Sequence, residues 1–139
     1  MKETMAFHIM ALYRDFLAYT TKELKALGVS FGQMPLILYT GKHPGCTQAD
    51  LTRVLRLDWG YSQRSISKLA DAGFLSKEYN EEKACNCLTL TEHGKTVFDT
   101  SHRVFQSWDD SRTDGLSAEE KETLFLLLSK ITTHRKGSR

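Results

Sequence analysis

The sequence predicts a mainly α-helical protein of α+β type, with one short β-hairpin set into a run of helices. Three observations carry that prediction. Apolar residues recur at helical spacing through most of the 139 residues, and only 2 prolines interrupt them. After Gly73 the pattern changes to two strand-like runs, FLSKEY and CNCLTLT, with NEEKA (Asn80 to Ala84) as the turn between them. Capping residues and glycines stand at the joints between the periodic segments.

The first helix is predicted from about Thr4 to Leu27. Met5, Ile9, Leu12, Phe16 and Tyr19 form one apolar stripe, and Ala6, Met10, Tyr13, Leu17 and Leu24 form a second on a neighbouring face. One stripe suffices to pack a helix on a single core, so this width predicts burial on two sides, the second against another subunit. Gly28 stops the helix. Ser30 is expected to cap a second helix through about Thr40, and GKHPG (Gly41 to Gly45) reads as a turn. Thr47 caps a third helix, TQADLTRVL, with Leu51, Val54 and Leu55 as its expected buried face and Asp50 completing an approximate capping box. RLD leads into a fourth helix, from near Asp58 to Ala72, whose inward residues are Ser62, Ile66 and Leu69. Gly73 ends it where a left-handed residue is wanted.

Past the hairpin, a fifth helix is predicted from about Thr91 to Asp110, with Val97, Phe98, Val104, Phe105 and Trp108 on its apolar side. SRTDG breaks it, and Ser117 with Glu120 forms a capping box for a last helix through about His134. LFLLL (Leu124 to Leu128) leaves that helix without a polar side, which places it with the first helix in a dimer interface. The basic tail HRKGSR is expected to fray. Three short helices followed by a hairpin form a winged helix-turn-helix, here residues 30–90, and residues 1–29 and 91–139 supply dimerisation helices.

Composition excludes several classes. No apolar run approaches the roughly 18 residues needed to span a membrane. MKETMAFHIMALYRDF carries an early acid and breaks its apolar run at Arg14 and Asp15, unlike a signal peptide. A cytoplasmic protein with no membrane partner is expected. The 3 cysteines, an odd number, make no disulfide scaffold. A net charge of +2 does not by itself predict a nucleic-acid partner, so the basic residues must gather on one face. There is no phosphate-cradling glycine loop, nucleophile elbow or metal quartet, so neither an enzyme nor a cofactor is expected. His8, His43, His93, His102 and His134 lack the spacing of a zinc site, and no metal is expected.

Three stretches resemble the multiple-antibiotic-resistance regulator (MarR) family of bacterial transcription factors. PGCTQADLTRVLRLD resembles the family's Pro-Gly-x-Thr-Gln-x-x-Leu-x-x-x-Leu-x-x-Asp segment. RSISKLADAGFL resembles its recognition helix and exit, with Arg64, Leu69 and Gly73 in register, and LTLTEHGK resembles its strand-to-helix junction. The order and spacing match over nearly the whole chain. The resemblance implies a homodimer that binds a pseudo-palindromic double-stranded DNA operator, usually as a repressor. It also implies release by a small, often aromatic, effector entering a cleft between the dimer helices and the DNA-binding lobe. That cleft would be lined by His8, Leu12 and Tyr13 of the first helix, Leu38 of the second and the start of the fifth.

Residue chemistry agrees. Gln63 and Arg64, with Ser67 and Lys68 a turn later, stand off the buried stripe of the fourth helix; glutamine suits bidentate contact with adenine and arginine with guanine. Thr47 and Gln48 open the third helix, and Arg53, Arg56 and Lys42 are expected to touch the DNA backbone and set register. Departures from the family pattern fall at two places. Where the family wing carries Asp-x-Arg, this chain reads Glu82, Lys83, Ala84, leaving Lys83 or Lys77 as less specific point charges. The fourth helix opens DWGYS, with bulky Trp59 and Tyr61 beside the reading face, a Gly60 that weakens the helix and Ser62 in a core position. These departures motivate an alternative, a winged-helix module that binds protein instead of DNA.

Strand alternation sets Cys85 and Cys87 together opposite Leu88 and Leu90, on an exposed face of the wing. Same-face neighbours are about 6.6 Å apart, too far for the ~3.8 Å between bridged β-carbons. The bland reading is two small strand residues; the other is a thiol or soft-metal switch. Cys46 is expected to be buried filler.

Overall fold

A computed structural model describes residues 3–134. The order is α1 (Met5–Lys25), α2 (Met34–Lys42), β1 (Cys46–Thr47), α3 (Gln48–Val54), α4 (Trp59–Asp71), β2 (Leu75–Asn80), β3 (Cys85–Leu90), α5 (Glu92–Arg112) and α6 (Ala118–His134). The chain divides into two compact units between Phe105 and Gln106. Beyond His134, the basic tail lies outside the described residues.

Local rules account for most joints of the first unit. Thr4 caps α1, its Oγ1 accepting the Phe7 N–H at 3.1 Å. Thr47 Oγ1 accepts the Asp50 N–H at 3.0 Å and Asp50 Oδ2 accepts the Thr47 N–H at 3.4 Å, the reciprocal capping box of α3. Asp58 caps α4 by accepting the Tyr61 N–H at 3.1 Å. Gly73 leaves α4 at φ +86°, a conformation that favours glycine. Thr91 then joins α4 to α5: its hydroxyl donates to the Gly73 carbonyl and accepts the Gly94 N–H at 3.0 Å. Gly94 is required there because a β-carbon would run into the Phe74 carbonyl oxygen.

Three joints differ from expectation. Ser30 and Gln33 bond to each other reciprocally, at 3.0 and 3.3 Å, so they close a turn ahead of α2 and the helix starts at Met34. Gly41 and Lys42, read as turn residues, continue α2, because Gly41 lets the Phe98 ring pack where a β-carbon would otherwise stand. Two residues read as buried filler and cap, Cys46 and Thr47, also form β1 along β3 and complete an antiparallel sheet of order β1-β3-β2.

The core gathers Leu36 and Ile37 of α2, Leu51 of α3, Ile66 and Leu69 of α4, and Leu88 of β3. Val54, expected inside, is 48% exposed. Its place is taken by Thr52, which faces Ser62 of α4 at 2.6 Å, oxygen to oxygen, in a buried pair. The Thr52 hydroxyl donates to the Gln48 carbonyl at 2.7 Å, which leaves Ser62 as donor to Thr52. A serine in the core stripe is thus satisfied, and its hydrogen bond joins α3 to α4.

In the second unit, Ser117 and Glu120 form the capping box of α6, at 2.9 and 3.1 Å. Phe125, Leu126, Leu127, Leu128 and Ile131 are all exposed. The first unit has a comparable face: Met5, Phe7, Ile9, Met10, Leu12 and Tyr13 of α1 are exposed too.

Candidate nucleic-acid interface

Burying Ser62, Ser65, Ile66 and Leu69 turns the opposite face of α4 to solvent. There Gln63, Arg64, Ser67 and Lys68 line one shallow notch, so the structure brings together the four residues expected to read bases. At Gly60 a β-carbon would stand 3.1 Å from Arg64 Nη1 and 3.3 Å from Asp58 Oδ2, so the guanidinium lies over the first turn of α4, near that carboxylate. Trp59 is exposed beside it. Tyr61 reaches back toward the loop before α2, its hydroxyl 3.3 Å from where a Gly32 β-carbon would be. Neither lines the notch.

The residues expected along the DNA backbone fall on α3 and its flanks. Thr47 is committed to the capping box. Gln48 is half-buried, and its Nε2 has no hydrogen-bond partner among the described residues. Arg53 pairs with Asp50 at 3.0 Å. Hydrogen bonds from Thr47 and then Arg53 hold the Asp50 carboxyl below its usual value. Arg56 stands exposed in the α3–α4 turn at φ +54°, and Lys42 is exposed at the end of α2.

In the wing, Lys77 pairs across from Leu88 and Tyr79 from Asn86, while Glu78 pairs across from Cys87 and Asn80 from Cys85. Lys83 lies in the turn, its N–H donating to Asn80 Oδ1 at 2.9 Å, and Ala84 follows at φ +52°. Tyr79, which the sequence reading passed over, is 65% exposed. Its signal was available: an aromatic residue in a hairpin, two residues from Lys77. Cys85 and Cys87 do share the outer face, but they are half-buried instead of exposed, because β3 is the central strand and β1 and β2 flank it. Cys46 is buried as expected, and desolvation pushes its thiol up.

Of the residues expected to line an effector cleft, His8, Leu12 and Tyr13 share α1 and Leu38 lies on α2. His8 pairs with Glu3 at 3.0 Å in solvent, Leu12 is exposed and Leu38 is half-buried. Tyr13 meets Phe31 edge-on at 6.3 Å, and Phe31 meets Phe16 at 5.9 Å. A cavity of about 540 Å³ lies elsewhere, lined by Thr40, Gly41, Pro44, Thr89, Leu90, Lys95, Phe98 and Asp99. None of His8, Leu12, Tyr13 and Leu38 lines it; only the start of the fifth helix was foreseen.

Helices α2 to α4 followed by a hairpin, with a polar notch on the outer face of α4, define a winged helix-turn-helix protein. No known family profile matches the chain. The HTH-type transcriptional regulator BilQ of Clostridium symbiosum (strain WAL-14163) is 38% identical over 132 residues, covering 94% of this chain and 92% of the relative. A MarR transcriptional regulator from Methanosarcina mazei Go1 superposes with a TM-score of 0.87 at 23% identity, over 100% of this chain and 94% of that one. A MarR-family regulator from Listeria monocytogenes, solved with a 26mer DNA, gives 0.81 at 23% identity over 96% and 89%. The chain belongs to the MarR family of HTH-type transcriptional regulators. That is a family of regulators and not of enzymes. Among the described residues, no helix is long and apolar enough to cross a membrane.

Proposed function

We propose that this regulator is a cytoplasmic homodimeric repressor that binds a pseudo-palindromic operator and leaves it when a small-molecule effector binds. The notch of Gln63, Arg64, Ser67 and Lys68 carries the reading. It offers bidentate donors and acceptors at helical spacing, held off a buried stripe, on a helix that fits the major groove. The Listeria regulator solved with DNA supports a DNA partner. In this reading Thr47, Gln48, Arg53, Arg56 and Lys42 lie along the phosphates, Trp59 and Tyr61 contact DNA from the first turn of α4, outside the notch, and Lys77 and Lys83 supply charge from the wing.

Residues 1–29 and 91–139 supply the dimer helices. The run of exposed apolar residues on α1 and the one on α6 support this, since contiguous apolar faces mark interaction sites. A two-fold dimer sets its reading helices about one DNA turn apart, ~34 Å. For the effector we favour the cavity between the end of α2, the end of β3 and the start of α5, over the surface near His8, Leu12, Tyr13 and Leu38. It is mostly apolar, has Lys95 and Asp99 for orientation, and touches a strand of the wing, so a ligand there bears on the wing directly.

Selection of bound sequences from a random duplex library tests the reading. Enrichment of a two-fold symmetric site with half-sites one helical turn apart is expected. A second reading, a protein-binding module, is favoured by exposed Trp59 and Tyr79 and by the acidic wing. Failure to enrich any sequence at low salt would select it.

A further inference from the structure

We propose that Cys85 and Cys87 form a two-coordinate site for a soft monovalent cation of the copper(I) class on the outer face of the wing. The strand register puts both thiols on one face of β3, across from Asn80 and Glu78 respectively. Both are free and half-buried, sheltered yet within reach of a small ion. Same-face β-carbons about 6.6 Å apart are too distant for a disulfide. They suit two metal–sulfur bonds end to end: at the ~2.3 Å of a zinc–thiolate bond, taken as the scale, these span roughly 4.6 Å between sulfurs. Each sulfur then leans inward by about 1 Å, within ordinary side-chain rotation.

The surroundings select the ion. Among the described residues no three histidine, cysteine or acidic side chains converge as a metal cage, so a four-coordinate ion such as zinc is not provided for. Soft thiolates suit copper(I), zinc and iron–sulfur clusters, and of these copper(I) is the one that two ligands in line can satisfy. Glu78 stands across from Cys87, and with Glu81 and Glu82 in the following turn it outnumbers Lys77 and Lys83, leaving the wing slightly negative. Cys46 takes no part: it pairs with Leu88, on the core side of the sheet. Binding breaks two S–H bonds, forms two S–Cu bonds and releases two protons, with no change in oxidation state. Affinity therefore rises with pH. Cys87 is the cross-strand partner of Thr47, so the ion sits beside the cap of α3.

The test is an anaerobic titration of the reduced full chain with copper(I) against a coloured bidentate chelator, without DNA. One ion per chain is expected, withheld from the chelator by the wild type and by Cys46→Ala, and surrendered by Cys85→Ser and by Cys87→Ser. In the wild type the ion should also protect Cys85 and Cys87 together from alkylation, a readout that needs no variant to fold. One ion per two chains, copper retained by Cys85→Ser, or alkylation of both thiols at full loading would each overturn the proposal. No outcome depends on operator binding, so this site and the DNA reading fail separately.

Discussion

The reading helix and the wing flank the same core, and they differ in how firmly each presents its charge. Helix α4 is fixed at both ends, by the Asp58 cap and by Gly73, and along its length by Ser62, Ile66 and Leu69. Its notch contains Arg64 and Lys68 and no acid. The wing offers Lys77 and Lys83 among Glu78, Glu81 and Glu82, and its turn closes on Ala84 in a left-handed conformation that costs a non-glycine residue about 1–2 kcal/mol. Planar bidentate donors carried on a packed helix discriminate between bases; point-charge lysines offset by neighbouring acids only add charge. Sequence preference therefore resides in α4, and the two wing lysines, set among three acids, add only sequence-independent contacts.

The largest expected effect follows from that division. Arg64→Ala should weaken binding to the selected site by about 1–3 kcal/mol and flatten preference at one guanine, read by competition between duplexes. Next is the hydroxyl pair under α4. Ser62→Ala leaves Thr52 donating to the Gln48 carbonyl, so stability should fall by only about 1 kcal/mol in denaturant unfolding; a neutral result would break the claim that the pair anchors the helix. Lys83→Ala should weaken all duplexes alike and reduce the salt slope by roughly one, without altering preference. The smallest effect is on pH. The Asp50 carboxyl is held below its unfolded value, so its contribution is present above that value and is lost as pH falls through the lower, folded one. Asp50→Asn should lose stability at neutral pH and show a shallower decline on acidification below about pH 4. An unchanged acid limb would remove the capping carboxylate from the account.

How much of this was legible depended on whether the cause was local. Thr47 with Asp50, Ser117 with Glu120, and Gly73 obey rules written within a few residues, and each does what its spacing implies. The outward face of α4 was legible from periodicity alone. Ser62 was read as a defect because its partner, Thr52, lies ten residues away across a helix crossing. Val54 was misplaced because α3 is only seven residues long and Leu51 with Thr52 fills its inward face. Gly41 and Gly60 look like helix breakers until Phe98 and Arg64 are seen packed over them. The cavity could not be foreseen, since α2, β3 and α5 supply its walls from distant parts of the chain.

The most direct test of the central claim is fluorescence anisotropy of the reduced protein on its selected duplex and on a scrambled one, at two salt concentrations, for wild type, Arg64→Ala and Lys83→Ala. Salt-sensitive binding that prefers the selected duplex is predicted, with the preference lost in Arg64→Ala and kept in Lys83→Ala. Preference that survives Arg64→Ala but disappears in Lys83→Ala would contradict the division between helix and wing, and no salt-dependent binding to either duplex would contradict the DNA-binding reading itself.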